Sequence, residues 1–186
     1  NCGTFFCGDV DEESRLLSER TKEALERGIR AVKPGREVNV IGRVIESYAK
    51  RFGYDTVREY TGHGVHSAFH SGFIVLHYDN TVYRDVLEPG MTFTIEPMLT
   101  LGSAANHMWD DDWTVLTNDG SRCAQWEHTI VVTECAGEVR RAPLRPCPDG
   151  QRVSLELVDV VERVAQRVVE PGDDIGAGGL AERTQL

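Results

Sequence analysis

The chain has 186 residues, 30 acidic against 20 basic, with a formal charge of -10, 40% apolar residues and 27% charged. That is the composition of a single globular domain, one that removes roughly 70% of its extended-chain surface from water on folding. It excludes nucleic acid as an expected partner, because an acidic surface repels phosphate backbones, and a membrane span, because no stretch approaches about 18 apolar residues. The opening Asn1-Cys2-Gly3-Thr4-Phe5-Phe6 carries no basic leader, and the five cysteines (Cys2, Cys7, Cys123, Cys135, Cys147) are odd in number and lack CxxC spacing. The expectation is a reduced, cytoplasmic protein.

In chain order, Thr4-Phe5-Phe6 reads as the end of a strand, as if the chain lacked its beginning. Asp9 is a plausible helix cap, with Asp11, Glu12 and Glu13 placed where a helix dipole favours negative charge. Leu16, Leu17, Ala24, Leu25, Gly28, Ile29 and Val32 then recur at helical spacing, and Pro34-Gly35 stops the run. A second stripe passes through Val38, Ile41, Val44, Ile45, Tyr48 and Phe52, and Gly53 closes it. From residue 56 onward β-branched and aromatic residues dominate short runs at 56–60, 73–78, 91–101, 113–117 and 123–133, with turns at Glu88-Pro89-Gly90 and Asn118-Asp119-Gly120. Two helices followed by largely antiparallel strands predict an α+β layer in which helices back one face of a curved sheet, leaving the other face for a site. Residues 1–139 form this domain, 140–150 a proline-rich linker, and 151–186 an appended helix with a disordered tail.

Chemistry gathers in three segments. Glycines at 62, 64 and 72 disfavour a helix through His63, His66 and His70, so a strand end bending into a loop is expected. On an extended chain His63 and His70 would point to opposite faces unless the chain bends, and would play different roles. Glu96 ends the run Met91-Thr92-Phe93-Thr94-Ile95-Glu96-Pro97 on its polar face, and Pro97 cannot donate to a central ladder. Glu127 lies in Gln125-Trp126-Glu127-His128-Thr129-Ile130-Val131-Val132, a run suited to a central strand. A carboxylate buried there is neutralised, salt-bridged or metal-bound, and the strand has no Lys or Arg after Arg122. One imidazole and two carboxylates suit a divalent first-row ion.

Together with Thr61-Gly62-His63-Gly64, Phe69-His70, His77-Tyr78, Glu88-Pro89-Gly90-Met91-Thr92-Phe93-Thr94-Ile95-Glu96-Pro97-Met98 and Trp113-Thr114-Val115, these segments resemble the successive signatures of type I methionine aminopeptidases. The resemblance runs in order from Asn1 to about Val139. It implies the pita-bread fold of the creatinase and aminopeptidase superfamily, here mainly its second pseudo-symmetric half. It also implies removal of the initiator methionine from nascent proteins by metal-activated water. By the same resemblance His63 and Glu96 are terminal ligands of a two-metal site, Glu127 bridges the ions, and His70 contacts the scissile amide. Glu96 or Glu127 is implied as the group that accepts the water's proton. Co, Mn, Fe, Zn and Ni are not distinguished. Phe69 and Trp113 are candidate walls of the methionine pocket, with core packing as the other reading of each.

The family's two aspartate ligands, which precede this set, have no counterpart here, so the expectation is a partial chain that is inactive or feeble alone. His66 and Phe73 stand where many relatives have glycine and proline. Two alternatives stay open: a prolidase-like relative, and a non-catalytic pita-bread module that binds peptide.

Overall fold

The computed structural model describes residues 1–134 and 137–139; the linker and appended helix expected over 140–186 lie outside the described residues. Helix α1 runs Glu12–Ala31 and α2 Asn39–Lys50. The cap of α1 is Asp11 rather than Asp9: its side chain accepts from the Ser14 amide, satisfying one of the donors that a helix start leaves orphaned. Arg122 pairs with the same carboxylate at 3.1 Å, which ties the cap to the sheet. The predicted apolar stripes meet each other. Leu17, Ala24, Leu25 and Ile29 of α1 and Ile41, Ile45 and Ala49 of α2 are buried in one core, with Tyr48 partly buried against it. Phe52 departs from this pattern, staying largely exposed beneath the Arg20 guanidinium.

The strands are shorter and more numerous than the composition suggests: β1 Asp55–Thr56, β2 Gly62–His63, β3 Ile74–Val75, β4 Thr92–Ile95, β5 Met98–Thr100, β6 Asn106–Met108, β7 Val115–Thr117, β8 Cys123–Gln125, β9 His128–Val132 and β10 Gly137–Val139. All described pairings are antiparallel, in orders β1-β5-β8, β10-β9-β4, β2-β3 and β6-β7. Two expectations need correcting. Residues 4–6 form no strand; only Cys2 pairs, in an isolated bridge with Glu127, while the Thr4 hydroxyl donates to the Gln125 carbonyl and Phe5 and Phe6 stay exposed. The 73–78 run pairs only at Ile74 and Val75, because α2 comes down on its far end: a Cβ on Gly42 would strike the carbonyl oxygens of Leu76 and Tyr78. Beyond these expectations, β6 (Asn106, His107 and Met108) has no β-branched residue and forms by pairing with β7 across a loop.

The runs at 91–101 and 123–133 are each cut in two, and the cut is shared. Ile95 pairs with His128 before it and Met98 with Gln125 after it. The register is the same on both sides, so Glu96 faces Glu127 and Pro97 faces Trp126 across a two-residue gap in one long antiparallel ladder. Pro97 has no N–H to give, and the two glutamate amides bond elsewhere. One face of this ladder carries Phe93, Ile95, Leu99, Ala124 and Ile130, all buried in the core with α1 and α2, and Trp126, whose indole donates to Ser18 of α1. The opposite face carries Thr94, Glu96, Met98, Gln125 and Glu127.

Candidate active site

Alternation along a strand puts directly opposite residues on the same face. Glu96 and Glu127 therefore project from the ladder gap into one cavity of about 870 Å³, which both line. Both side chains are mostly buried, 15% and 17% exposed. Like charges facing each other across a ladder repel, and neither carboxylate meets a lysine or arginine among the described residues. The Glu127 carboxylate lies 3.3 Å from the α-ammonium of Asn1, and its amide donates to the Cys2 carbonyl. The Glu96 carboxyl is pushed up, first by burial and then by the charge of Glu127, while the Thr94 hydroxyl and His63 pull the other way.

The imidazole comes from β2. A Cβ at Gly62 would collide with the Thr94 carbonyl, so glycine lets β2 lie against β4 and brings His63 to Glu96, Nε2 to Oε1 3.8 Å. Thr94 joins the two residues. Its buried hydroxyl accepts from the His63 amide at 2.9 Å and donates to Glu96 Oε1 at 2.6 Å. On the other side Gln125 reaches Glu96 Oε2 at 3.5 Å. The condition for His63 and His70 to meet is fulfilled: the chain turns back after Gly64, where Ser71 donates to the Gly64 carbonyl, and the two rings stand 4.1 Å apart between centroids. His70 is the exposed partner, free to reach a ligand in front of His63.

Phe69 lies outside the cavity lining and is 74% exposed, edge-on to His70 and 5.1 Å from the His63 ring. Trp113 does line the cavity, although 87% exposed. Its loop is set by Asp111, which accepts from the Trp113 and Thr114 amides and the Thr114 hydroxyl. These bonds, with Thr114 foremost, hold the Asp111 carboxyl below its usual range. Sequence reasoning missed Thr94, Met98 and Gln125, although each lies two residues from a glutamate it had singled out and so shares that glutamate's strand face. It also missed Tyr60 and Met108, which line the cavity from loop and hairpin positions that carry no such signal.

Residues 2–134 match the signature of Metallopeptidase family M24. The chain belongs to that family. It is 56% identical over 136 residues to methionine aminopeptidase 2 of Mycobacterium tuberculosis, an alignment covering 73% of this chain and 48% of the relative. The crystal structure of methionine aminopeptidase from Thermotoga maritima superposes with a TM-score of 0.71 at 36% identity, covering 74% of this chain and 55% of that one. The prolidase from Pyrococcus horikoshii shares the fold at a TM-score of 0.55 and 23% identity, covering 73% of this chain and 33% of that one. The M24 chain thus has the pita-bread architecture and spans about half the length of the curated relative it matches.

M24 membership implies divalent metal. Among the described residues no three His, Cys, Asp or Glu side chains draw close enough to hold an ion unaided. The donor chemistry nonetheless fits one. His63 and Glu96 form a near pair, and Glu127 faces Glu96 with no basic side chain between them. Burial also disfavours the bare charge on Glu96.

Proposed function

We propose that this chain contributes active-site residues to a methionine aminopeptidase, a metal-dependent hydrolase that removes the first methionine from peptides and nascent proteins. The observation that carries the reading is the pair of mostly buried glutamates facing each other at the ladder gap, with His63 beside one of them and a peptide-sized cavity in front. His63, Glu96 and Glu127 would hold the metal, which when bound supplies a nucleophilic water near neutral pH and a positive charge for the substrate carbonyl. Glu96, whose carboxyl burial raises above the ordinary carboxylate range, accepts a proton from the attacking water and returns it to the leaving amine. His70, exposed and held against His63, donates a hydrogen bond to the scissile amide or the developing oxyanion, the kind of contact worth about 10²-fold or more in rate. Met98, Met108 and Trp113 offer soft and aromatic surface to a methionine side chain.

Identity to methionine aminopeptidases supports this specificity, whereas the likeness to the prolidase reaches only the fold. Cytoplasmic work belongs to the same reading. The test joins the chain to the upstream part of the M. tuberculosis relative and supplies Mn²⁺ or Co²⁺. Methionine release from a Met-Ala-Ser peptide is expected, with no cleavage of an Ala-Pro-Ser peptide. Cleavage of the proline peptide alone points to a prolidase-like enzyme, and peptide binding without release points to a binding module.

A further inference from the structure

His77 is a polar residue in the middle of the core, 1% exposed, and the chemistry above leaves it unused. The ring has two backbone partners. Nε2 accepts from the Glu96 amide at 3.0 Å, and the ring bonds to the Tyr60 backbone on its other side. One partner is Glu96 of the imidazole–carboxylate pair itself, and the other, Tyr60, leads into His63 three positions later. The Glu96 amide has no ladder partner, since the β4 pairing stops at Ile95 and the gap opens there. Without His77 it would be an orphaned donor in a largely buried place. Pro97 already confines Glu96 to extended backbone. His77 adds the second restraint, on the peptide plane from which the carboxylate grows.

We infer that His77 is a positioning residue: by bonding the backbone at Glu96 and at Tyr60 it sets the spacing of Glu96 and His63 and thereby the affinity of that pair for a divalent ion. This rests on the reading that the pair holds metal, and on the hydrogen-bond geometry rather than on any titration. The Thr94 hydroxyl acts on the carboxylate oxygen and the His63 amide directly, so the two devices are separate: Thr94 links the side chains, His77 the backbones.

The test uses the full chain and Mn²⁺, with affinity measured by titration calorimetry. His77→Gln places an amide oxygen where Nε2 accepts from Glu96, whereas His77→Asn keeps only a donor near Tyr60. Outer partners of metal ligands are worth about 10–100-fold in affinity. His77→Asn is expected to bind Mn²⁺ about 10–100-fold more weakly than the parent, and His77→Gln within about threefold of it. Rescue by Gln and not by Asn is the signature of positioning, because loss of core packing alone would weaken both alike. Equal affinity in the parent and both folded variants overturns the inference and leaves the metal reading standing. A parent that takes up no Mn²⁺ overturns the metal reading and this inference together. Should both variants unfold, the parent decides: a coupling across the hydrogen bond between the Glu96 amide nitrogen and His77 Nε2 is expected in ¹⁵N spectra of the metal-free chain, and its size should change when diamagnetic Zn²⁺ is added. Absence of the coupling, or its indifference to Zn²⁺, overturns the inference.

Discussion

The two faces of the interrupted ladder have opposite economies. Toward the helices, Phe93, Ile95, Leu99 and Ile130 are fully buried in apolar packing that folding rewards, and the Trp126 indole finds its acceptor in Ser18. Toward the cavity, the same strands present Glu96 and Glu127 to each other, mostly buried and without a basic side chain between them. The first face is satisfied by folding alone, whereas the second keeps two carboxylates lining the cavity. The difference teaches where stability ends and function starts: a period of two along the strand separates them, so neighbouring residues belong to different regimes.

That contrast can be broken first on the helix side. Phe93→Ala should cost about 3–5 kcal/mol in urea unfolding, the usual range for a large core truncation; a loss below about 1 kcal/mol would mean that the helix face is loosely packed. On the cavity side, Glu96→Gln should act in the opposite sense. Burial raises the Glu96 carboxyl in the folded chain, so folding favours its protonated form. That contribution is present below the ordinary carboxylate value and is lost as pH rises through the raised one. Metal-free Glu96→Gln should therefore gain stability relative to the parent as pH rises to neutrality, while Mn²⁺ affinity falls by about 100-fold or more, beyond the effect of an outer partner. A variant less stable than the parent throughout, with unchanged Mn²⁺ binding, contradicts the contrast.

His77 sharpens the comparison by pH. Its burial, only partly offset by the bond to the Tyr60 backbone, holds the imidazole down to about 3, against an ordinary 6.5. Stability from keeping it neutral is complete above 6.5 and drains away as pH falls from there toward about 3. The thermal midpoint of the parent should fall more steeply over that window than that of His77→Gln; parallel curves would show that the imidazole is not held neutral. Trp113→Ala should change least. An exposed ring leaves folding within about 0.5 kcal/mol of the parent, yet peptide KM in the extended enzyme should rise, and an unchanged KM would remove Trp113 from the substrate cavity.

The helices were legible because their apolar stripes have the helical period and nothing else competes for those positions. His63, Glu96 and Glu127 stood out as chemistry-bearing residues in β-rich runs, and the gap between them was half visible in Pro97. What pattern could not reveal is where chain segments from far apart meet. Neither the turn after Gly64 that brings His70 against His63, nor the descent of α2 onto Leu76 and Tyr78, leaves a periodic trace. Strand β6 lacks a β-rich run and forms through its partner, and the hydrogen bond from Glu96 to His77 spans 19 positions. The cap fell two residues from its expected place because Asp9 and Asp11 are equally suited by type, and only the Arg122 contact and the Ser14 bond distinguish them.

The central claim is that Glu96 and Glu127 face each other across the ladder gap so as to share a cation with His63. Anomalous diffraction from crystals of the chain grown with Mn²⁺ tests it most directly. The account predicts a Mn²⁺ peak in contact with carboxylate oxygens of both glutamates and with His63 Nε2. A fully occupied peak elsewhere with that pocket empty, or either glutamate turned onto a lysine or arginine, would contradict it.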